Sequence, residues 1–293
     1  MLASARVRRA PAWWPSGTVA LAFALALGTP AAAQPPGAPA NSPGVAVVGV
    51  TVVDVARGRL VPGQTVVTRG DRIVAVGPSA RVRVPAGARQ VEGRGRFVIP
   101  GLWDMHVHAA RDGRASHFWP LLLAHGVTGV REMGSYLDSL VHYRAEAARR
   151  PMEAPRIVWS SPMLDGAPTT WVHGYPVADA AAARAAVDTM RALGFDALKV
   201  YGRLTRDAYF AVAARARAVG MPFAGHVPAA VRYAEASDAD QRSIEHVGNL
   251  VVECAPGGPA LLDTLRAATA RGARDAAAGV RARLDAAAVG PPD

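Results

Sequence analysis

Over residues 45–91 the apolar positions come in short β-branched runs rather than in helical stripes. The runs 45–55, 64–68 and 72–76 are separated or closed by Arg57-Gly58, Arg69-Gly70-Asp71 and Gly77-Pro78, where glycine and proline favour turns. They predict a small antiparallel β unit, too short to bury much core alone and so expected to pack on, or pair with, something later in the chain. After Phe97 the rhythm changes to alternating strand and helix. Candidate strands are 97–105, 127–133, 156–162, 197–201, 222–226 and 243–247, with alanine- and leucine-rich helical stretches such as 136–149, 178–193 and 206–219 between them. Such alternation with short loops predicts a parallel α/β fold, with six units countable. Residues 260–288 are Ala/Arg-rich and helical in character, without a clear strand.

The N-terminus changes the picture of where the chain works. Arg6, Arg8 and Arg9 precede a short apolar run at 18–27, and Ala31-Ala-Ala33 offers a small-residue cleavage site before Gln34. The run is shorter than the roughly 20 residues that span a bilayer. Residues 1–33 therefore read as a signal peptide and 34–43 as a Pro/Ala-rich linker. The mature protein is expected to be periplasmic or secreted, with no stable membrane anchor after cleavage. Losing the three arginines lowers the net charge from +10 to +7. The remaining arginines are scattered and no aromatic-basic strip accompanies them, so the expected partner is a small-molecule substrate and not nucleic acid. Cys254 is the only cysteine, which excludes an intrachain disulfide and a thiolate metal cluster.

Candidate chemistry begins with Lys199, the single lysine among 33 cationic residues. An ammonium, unlike a guanidinium, is deprotonated by burial. The amine then serves as a Schiff-base nucleophile, a general base, or an acceptor of carbon dioxide that yields a metal-binding carbamate. Asp104-Met-His106-Val-His108 closes the first α/β strand, and alternation places Asp104, His106 and His108 on one face. Neutral imidazoles so placed suit a borderline-soft divalent metal. His106 and Lys199 are 93 residues apart, Lys199 and His226 are 27, and His226 and His246 are 20. At about 31 residues per βα unit these positions fall at the C-terminal ends of strands one, four, five and six, the active-site face of a βα barrel. That shared phase points to a metal site.

The run Val98-Ile-Pro-Gly-Leu-Trp-Asp-Met-His106-Val-His108 resembles the opening motif of the amidohydrolase superfamily. Leu198-Lys199-Val-Tyr201, Ala224-Gly-His226 and Ile244-Glu-His246 resemble its later metal-ligand motifs. The likeness covers residues 45–250 and is nearest to the imidazolonepropionase-like and prolidase-like secreted branch. It implies a (β/α)8 TIM-like barrel of which about six units are present, preceded by a small N-terminal β-sandwich segment. The implied divisions are 44–96 for the β segment of a composite sandwich, 97–250 for the partial barrel and 251–293 for a helical tail.

The resemblance further implies two divalent metal ions, with zinc as the default. His106 and His108 would hold the first, His226 and His246 the second, and Lys199, carboxylated by carbon dioxide, would bridge both. The implied activity is metal-dependent hydrolysis of an amide or cyclic amide C–N bond by a metal-bridged hydroxide, on Xaa-Pro dipeptide-like or imidazolone-like substrates. The family's general acid/base aspartate after the eighth strand has no match here, so the resemblance also implies a C-terminally incomplete chain. The alternative expectation is an inactive truncated remnant that keeps the ligands.

Supporting roles are expected around this set. Asp104 is expected to stand behind the histidines or to close the strand, and Glu132 to anchor a loop. His173 and Tyr201 are candidates for substrate contact. His117, His125 and His142 fall in helical stretches and read as structural. Glu245, adjoining His246 in a strand, is expected to face the other way, onto surrounding helices.

Overall fold

The valine-rich runs build the first sheet of the computed structural model, which describes residues 44–246, 250–254, 256–270, 279–280 and 282–283. The expected signal peptide and linker lie outside the described residues. Strands β1 (Val45–Asp54), β2 (Arg59–Arg69), β3 (Arg72–Pro78) and β4 (Arg89–Glu92) are ordered β3-β2-β1-β4, and β5 (Phe97–Val98) also pairs with β1. The β2–β3 hairpin turns on Gly70-Asp71, with Gly70 at φ 57°, a two-residue connection of the kind that needs positive φ.

The sheet is mixed rather than purely antiparallel, because β4 and β5 run parallel to β1. Sequence reading missed β4, whose Arg-Gln-Val-Glu composition carries no apolar alternation. Phe97 and Val98 were expected to open the first barrel strand, yet they pair with Thr51 and Val52. Pro100, which has no N–H to give a ladder, separates them from the barrel strand that follows.

That following strand is β6 (Leu102–Val107), and the second sheet continues with β7 (Val127–Glu132), β8 (Arg156–Gly166), β9 (Tyr175–Val177), β10 (Ala197–Val200) and β11 (Phe223–Gly225). The order is β11-β10-β8-β7-β6, with every pairing parallel and β9 alongside β8. Among the described residues, the expected sixth strand contributes a single parallel bridge, Gly225 to Ile244. The result is a curled parallel half-barrel.

Helices α1 (Ala115–Ala124), α2 (Leu137–Arg149), α3 (Ala180–Ala192), α4 (Arg206–Ala218) and α5 (Tyr233–Asp238) connect its strands, and α6 (Leu250–Cys254) and α7 (Gly258–Ala270) follow. The starts of α3 and α4 follow from their caps: Asp179 accepts from the Ala181 and Ala182 N–H groups, and Thr205 from Ala208 N–H. Among the described residues, no helix is long and apolar enough to cross a membrane.

The core lies between this sheet and its helices, where Trp119, Leu140, Met190, Leu198 and Tyr209 are buried. Burial of each aliphatic side chain contributes roughly 1.5–3 kcal/mol. Strand β10 is buried at all four positions, as a central parallel strand covered on both faces should be. Lys199 is one of those four, fully enclosed.

Candidate metal centre

The pairing of β6 with β7 slips between Asp104/Val130 and Val107/Glu132, so the end of β6 is bulged and strict alternation does not hold there. Asp104 is exposed, and its Oδ1 accepts from His106 N–H at 3.0 Å. Asp104 therefore holds the backbone of the bulge at His106. Beyond the bulge, His106 and His108 turn their rings to each other, with 3.3 Å between their Nε2 atoms. Two nitrogens bound to one tetrahedral ion at about 2.0–2.1 Å stand at a similar separation.

The other nitrogen of each ring is already engaged. His106 Nδ1 meets Glu245 Oε2 at 2.6 Å, and His108 Nδ1 meets the Gly134 carbonyl at 2.7 Å. Both hydrogen bonds favour the Nδ1–H tautomer, which leaves the Nε2 lone pairs facing one another and free for a metal. Burial lowers both imidazole pKa values, which keeps the rings neutral and fit to coordinate.

The remaining expected ligands complete a continuous cluster. The ring centroid of His246 lies 4.7 Å from that of His106 and 5.1 Å from that of His226. His226 follows β11, and burial drives its pKa down to about 4. Its Nδ1 is buried without a hydrogen-bond partner among the described residues, as is Lys199 Nζ. Burial lowers the Lys199 ammonium to about 8, against the opposing pull of Glu245. Buried polar atoms left unsatisfied cost free energy, and sites with a missing ion are one place where they occur. Among the described residues no three carboxylate, imidazole or thiol groups are already arranged to hold an ion. The four histidines are adjacent rather than convergent, yet the neutral imidazoles, the facing Nε2 pair and the orphaned Nζ fit a metal in kind.

Glu132 is buried at the end of β7, where Oε2 accepts from Ala110 N–H at 3.0 Å. Burial raises its carboxyl to about 8, and the contact ties down the loop after β6, in line with the anchoring role expected for it. His173, a candidate for substrate contact, is buried, with its ring against Tyr136 and Trp171. Trp171 Nε1 donates to Tyr201 Oη at 2.7 Å, and the Tyr201 ring lies 4.1 Å from that of His226. The β8–β9 loop is thereby linked to the cluster through Tyr201. His117 and His142 sit on α1 and α2 and His125 caps α1 through Leu121 O.

Glu245 requires a correction. It was expected to turn away onto helices, but it bonds to His106, to Ser243 Oγ and to Arg131. The alternation argument presumed a continuous strand. Here only Ile244 bridges, and His246 has φ 56°, so neighbouring side chains need not oppose. Sequence reasoning missed Arg131 as well, whose only signal was a charged Arg131-Glu132 pair closing a buried strand.

Solved structures share this architecture. Bottromycin amidohydrolase matches with a TM-score of 0.59 at 27% identity, over 78% of this chain and 49% of its own. A Bifidobacterium longum protein assigned as a prolidase matches with a TM-score of 0.56 at 25% identity, over 63% of this chain and 49% of its own. Among curated proteins, adenine deaminase 3 of Rhizobium meliloti (strain 1021) is 34% identical over 77 residues, 26% of this chain and 13% of the deaminase. Imidazolonepropionase of Yersinia pestis (strain Pestoides F) is 28% identical over 113 residues, 38% of this chain and 28% of that enzyme. No protein-family profile matches the chain. The matches thus span about half the length of these structural neighbours and less of the curated relatives. These relatives are hydrolases acting on C–N bonds, and together they support the amidohydrolase superfamily, whose members are generally metal-dependent.

Proposed function

We propose that this site hydrolyses a non-canonical amide or cyclic amide C–N bond with the help of two divalent metal ions, zinc by default. The observation that carries the reading is the facing pair of imidazole Nε2 atoms, 3.3 Å apart, whose second nitrogens are both already engaged. His106 and His108 would hold one ion and His226 and His246 the other. Lys199, whose ammonium burial lowers to about 8, would give up its proton on taking up carbon dioxide and serve both ions as a carbamate, which an arginine at this position cannot form. When bound, the metals supply Lewis-acid polarisation of the scissile carbonyl and acidify water.

The chain's own residues supply the rest. Asp104 and Glu132 hold the backbone on either side of the first two histidines. Tyr201 presents a ring beside His226 and is steadied by Trp171, so Tyr201 and, behind Trp171, His173 line the side from which substrate approaches. Substrates with a compact, partly apolar group next to the carbonyl, such as Xaa-Pro dipeptides or imidazolone rings, suit that wall. The barrel reading extends to a (β/α)8 architecture with a composite β-sandwich around residues 44–96, and to a periplasmic or secreted setting.

The test is hydrolysis by the full chain, loaded with zinc in bicarbonate, of an Xaa-Pro dipeptide series and of imidazolonepropionate. Zinc-dependent release of amine or ring-opened product is expected. Zinc uptake without turnover of either class would instead favour metal binding without hydrolysis.

A further inference from the structure

Glu245 and Arg131 lie 114 residues apart in sequence and form an ion pair inside the half-barrel, both side chains largely enclosed. Arg131 reaches in three directions. Its Nε donates to the Met105 carbonyl of β6 at 2.8 Å, its Nη1 to Ser243 Oγ at 2.8 Å, and its Nη2 to Glu245 Oε1. Glu245 uses both oxygens: Oε1 accepts from Arg131 and from Ser243 Oγ at 2.7 Å, and Oε2 meets His106 Nδ1. The backbone of the same segment is pinned on its other side, where Glu245 N–H donates to the Gly225 carbonyl at 2.9 Å. Segment 243–245 therefore binds β11 through its main chain and β6 and β7 through its side chains.

Such a bracket is unnecessary for burying apolar surface. Burying a carboxylate and a guanidinium is costly unless each is hydrogen-bonded, and here the single Arg131–Glu245 contact is supplemented by Met105 O and Ser243 Oγ on the guanidinium and by Ser243 Oγ and His106 on the carboxylate. What the bracket secures is one ring. A carboxylate on Nδ1 selects the Nδ1–H tautomer of His106, sets its plane, and leaves Nε2 as the lone-pair nitrogen.

We propose that Glu245, braced by Arg131, is a positioning residue that locks the His106 ring in its metal-facing tautomer and holds segment 243–245 across the barrel mouth. The proposal rests on the metal-centre reading for its purpose, but the locking of the ring can be observed without metal. In the metal-free full chain, long-range 1H–15N correlation of the imidazoles is expected to show His106 as a single Nδ1–H tautomer. Glu245→Ala is expected to give a mixture of tautomers and a zinc affinity weaker by roughly 10–100-fold in chelator competition. Glu245→Gln has a single acceptor oxygen, which Arg131 and Ser243 claim, so its NH2 turns to His106 Nδ1. It is expected to shift the ring towards the Nε2–H tautomer, and it carries the test if the alanine variant does not fold. Arg131→Met is expected to loosen the tautomer while leaving Glu245 in place.

A single Nδ1–H tautomer and unchanged zinc affinity in Glu245→Ala would overturn the proposal, as would an unshifted Nδ1–H tautomer in the folded Glu245→Gln protein. If the unsubstituted chain takes up no zinc, the metal-centre reading fails, and the tautomer comparison still decides whether Glu245 positions His106.

Discussion

Lys199 Nζ, on β10, and His226 Nδ1, just past the end of β11, are both buried with no hydrogen-bond partner among the described residues, and the two strands are joined in register by Lys199/Ala224 and Val200/Gly225. A buried polar atom left unsatisfied costs free energy, and burial lowers the Lys199 ammonium from its ordinary 10.5 to about 8.

The sign of the resulting pH dependence follows directly. An unfolded chain keeps the Lys199 proton up to about 10.5, whereas the folded chain releases it near 8. Between those values the unfolded state binds more protons, so stability of the metal-free protein rises with pH. Below pH 8 the folded chain bears the whole cost of the buried ammonium, on the order of 3 kcal/mol. Lys199→Met is expected to abolish this rise and to be the more stable protein at pH 7. Urea unfolding of both chains across this pH window measures the effect, and equal slopes for the two would refute it.

The same residue distinguishes a carbamate from a plain cation. Lys199→Arg keeps a positive charge and similar length but cannot carry carbon dioxide, because the guanidinium stays protonated. Loss of two-metal loading is expected, read as zinc per chain after dialysis in bicarbonate. Retention of two equivalents would exclude the bridging role.

Much of this arrangement was legible in the sequence wherever one physical rule governed a stretch. β10 is fully buried and reads as an apolar run broken only by its lysine, so its position, and the anomaly of that lysine, were visible in advance. The phase of His106, Lys199, His226 and His246 could be counted, and the structure brings these histidines into ring contact. The misses occur where backbone geometry departs from the rule. Glu245 was misplaced because alternation assumes extended chain, and His246 adopts φ 56°. Phe97–Val98 was assigned to the wrong sheet because an apolar run does not announce its partner. The Arg131 fork depends on contacts more than a hundred residues distant, which no local pattern encodes.

Gly225 sets how closely β11 approaches β10. A Cβ there would stand 2.1 Å from the Val200 carbonyl oxygen, and φ is 138°, a region that L side chains rarely adopt. His226 N–H donates to that same carbonyl at 3.1 Å, so the clash falls on the bond that seats a candidate ligand. Gly225→Ala is expected to destabilise by at least about 3 kcal/mol. Gly220→Ala, with φ 68° and open space around the new methyl, should cost only about 1–2 kcal/mol. Thermal unfolding of the two variants provides the comparison, and equal losses would show that close strand approach is not the cause.

Acid sensitivity is expected at a second place, away from the metal cluster. Glu235 is held at about 2, chiefly by the Arg206 guanidinium that grips both its oxygens, and it also accepts from Arg232 N–H at the start of α5. Because the folded pKa lies below the unfolded 4.5, this contribution is present above pH 4.5 and is lost as pH falls towards 2. The pair is partly exposed, so solvent screening limits it to about 1 kcal/mol. Glu235→Gln should flatten the stability profile between pH 4.5 and 3 by that amount, as followed by urea midpoints. An unchanged profile would mean that the pair is screened out.

Tyr201 and Trp171 yield a prediction about substrate rather than folding. Trp171 is half exposed, and its indole N–H donates to Tyr201 Oη, whose ring lies beside His226. Tyr201→Phe keeps the ring and removes only the acceptor, so unfolding should shift by no more than about 1 kcal/mol. Because the hydroxyl orients Trp171 at the site's edge, the zinc-loaded variant is expected to lose roughly 10-fold in kcat/KM on the dipeptide substrate, mostly through KM. Trp171→Phe should show a similar loss, and the double variant little more than either alone, since the two act as one unit. Additive losses in the double-mutant cycle would show that the residues contact substrate independently, and an unchanged KM would remove the β8–β9 loop from the substrate-binding wall.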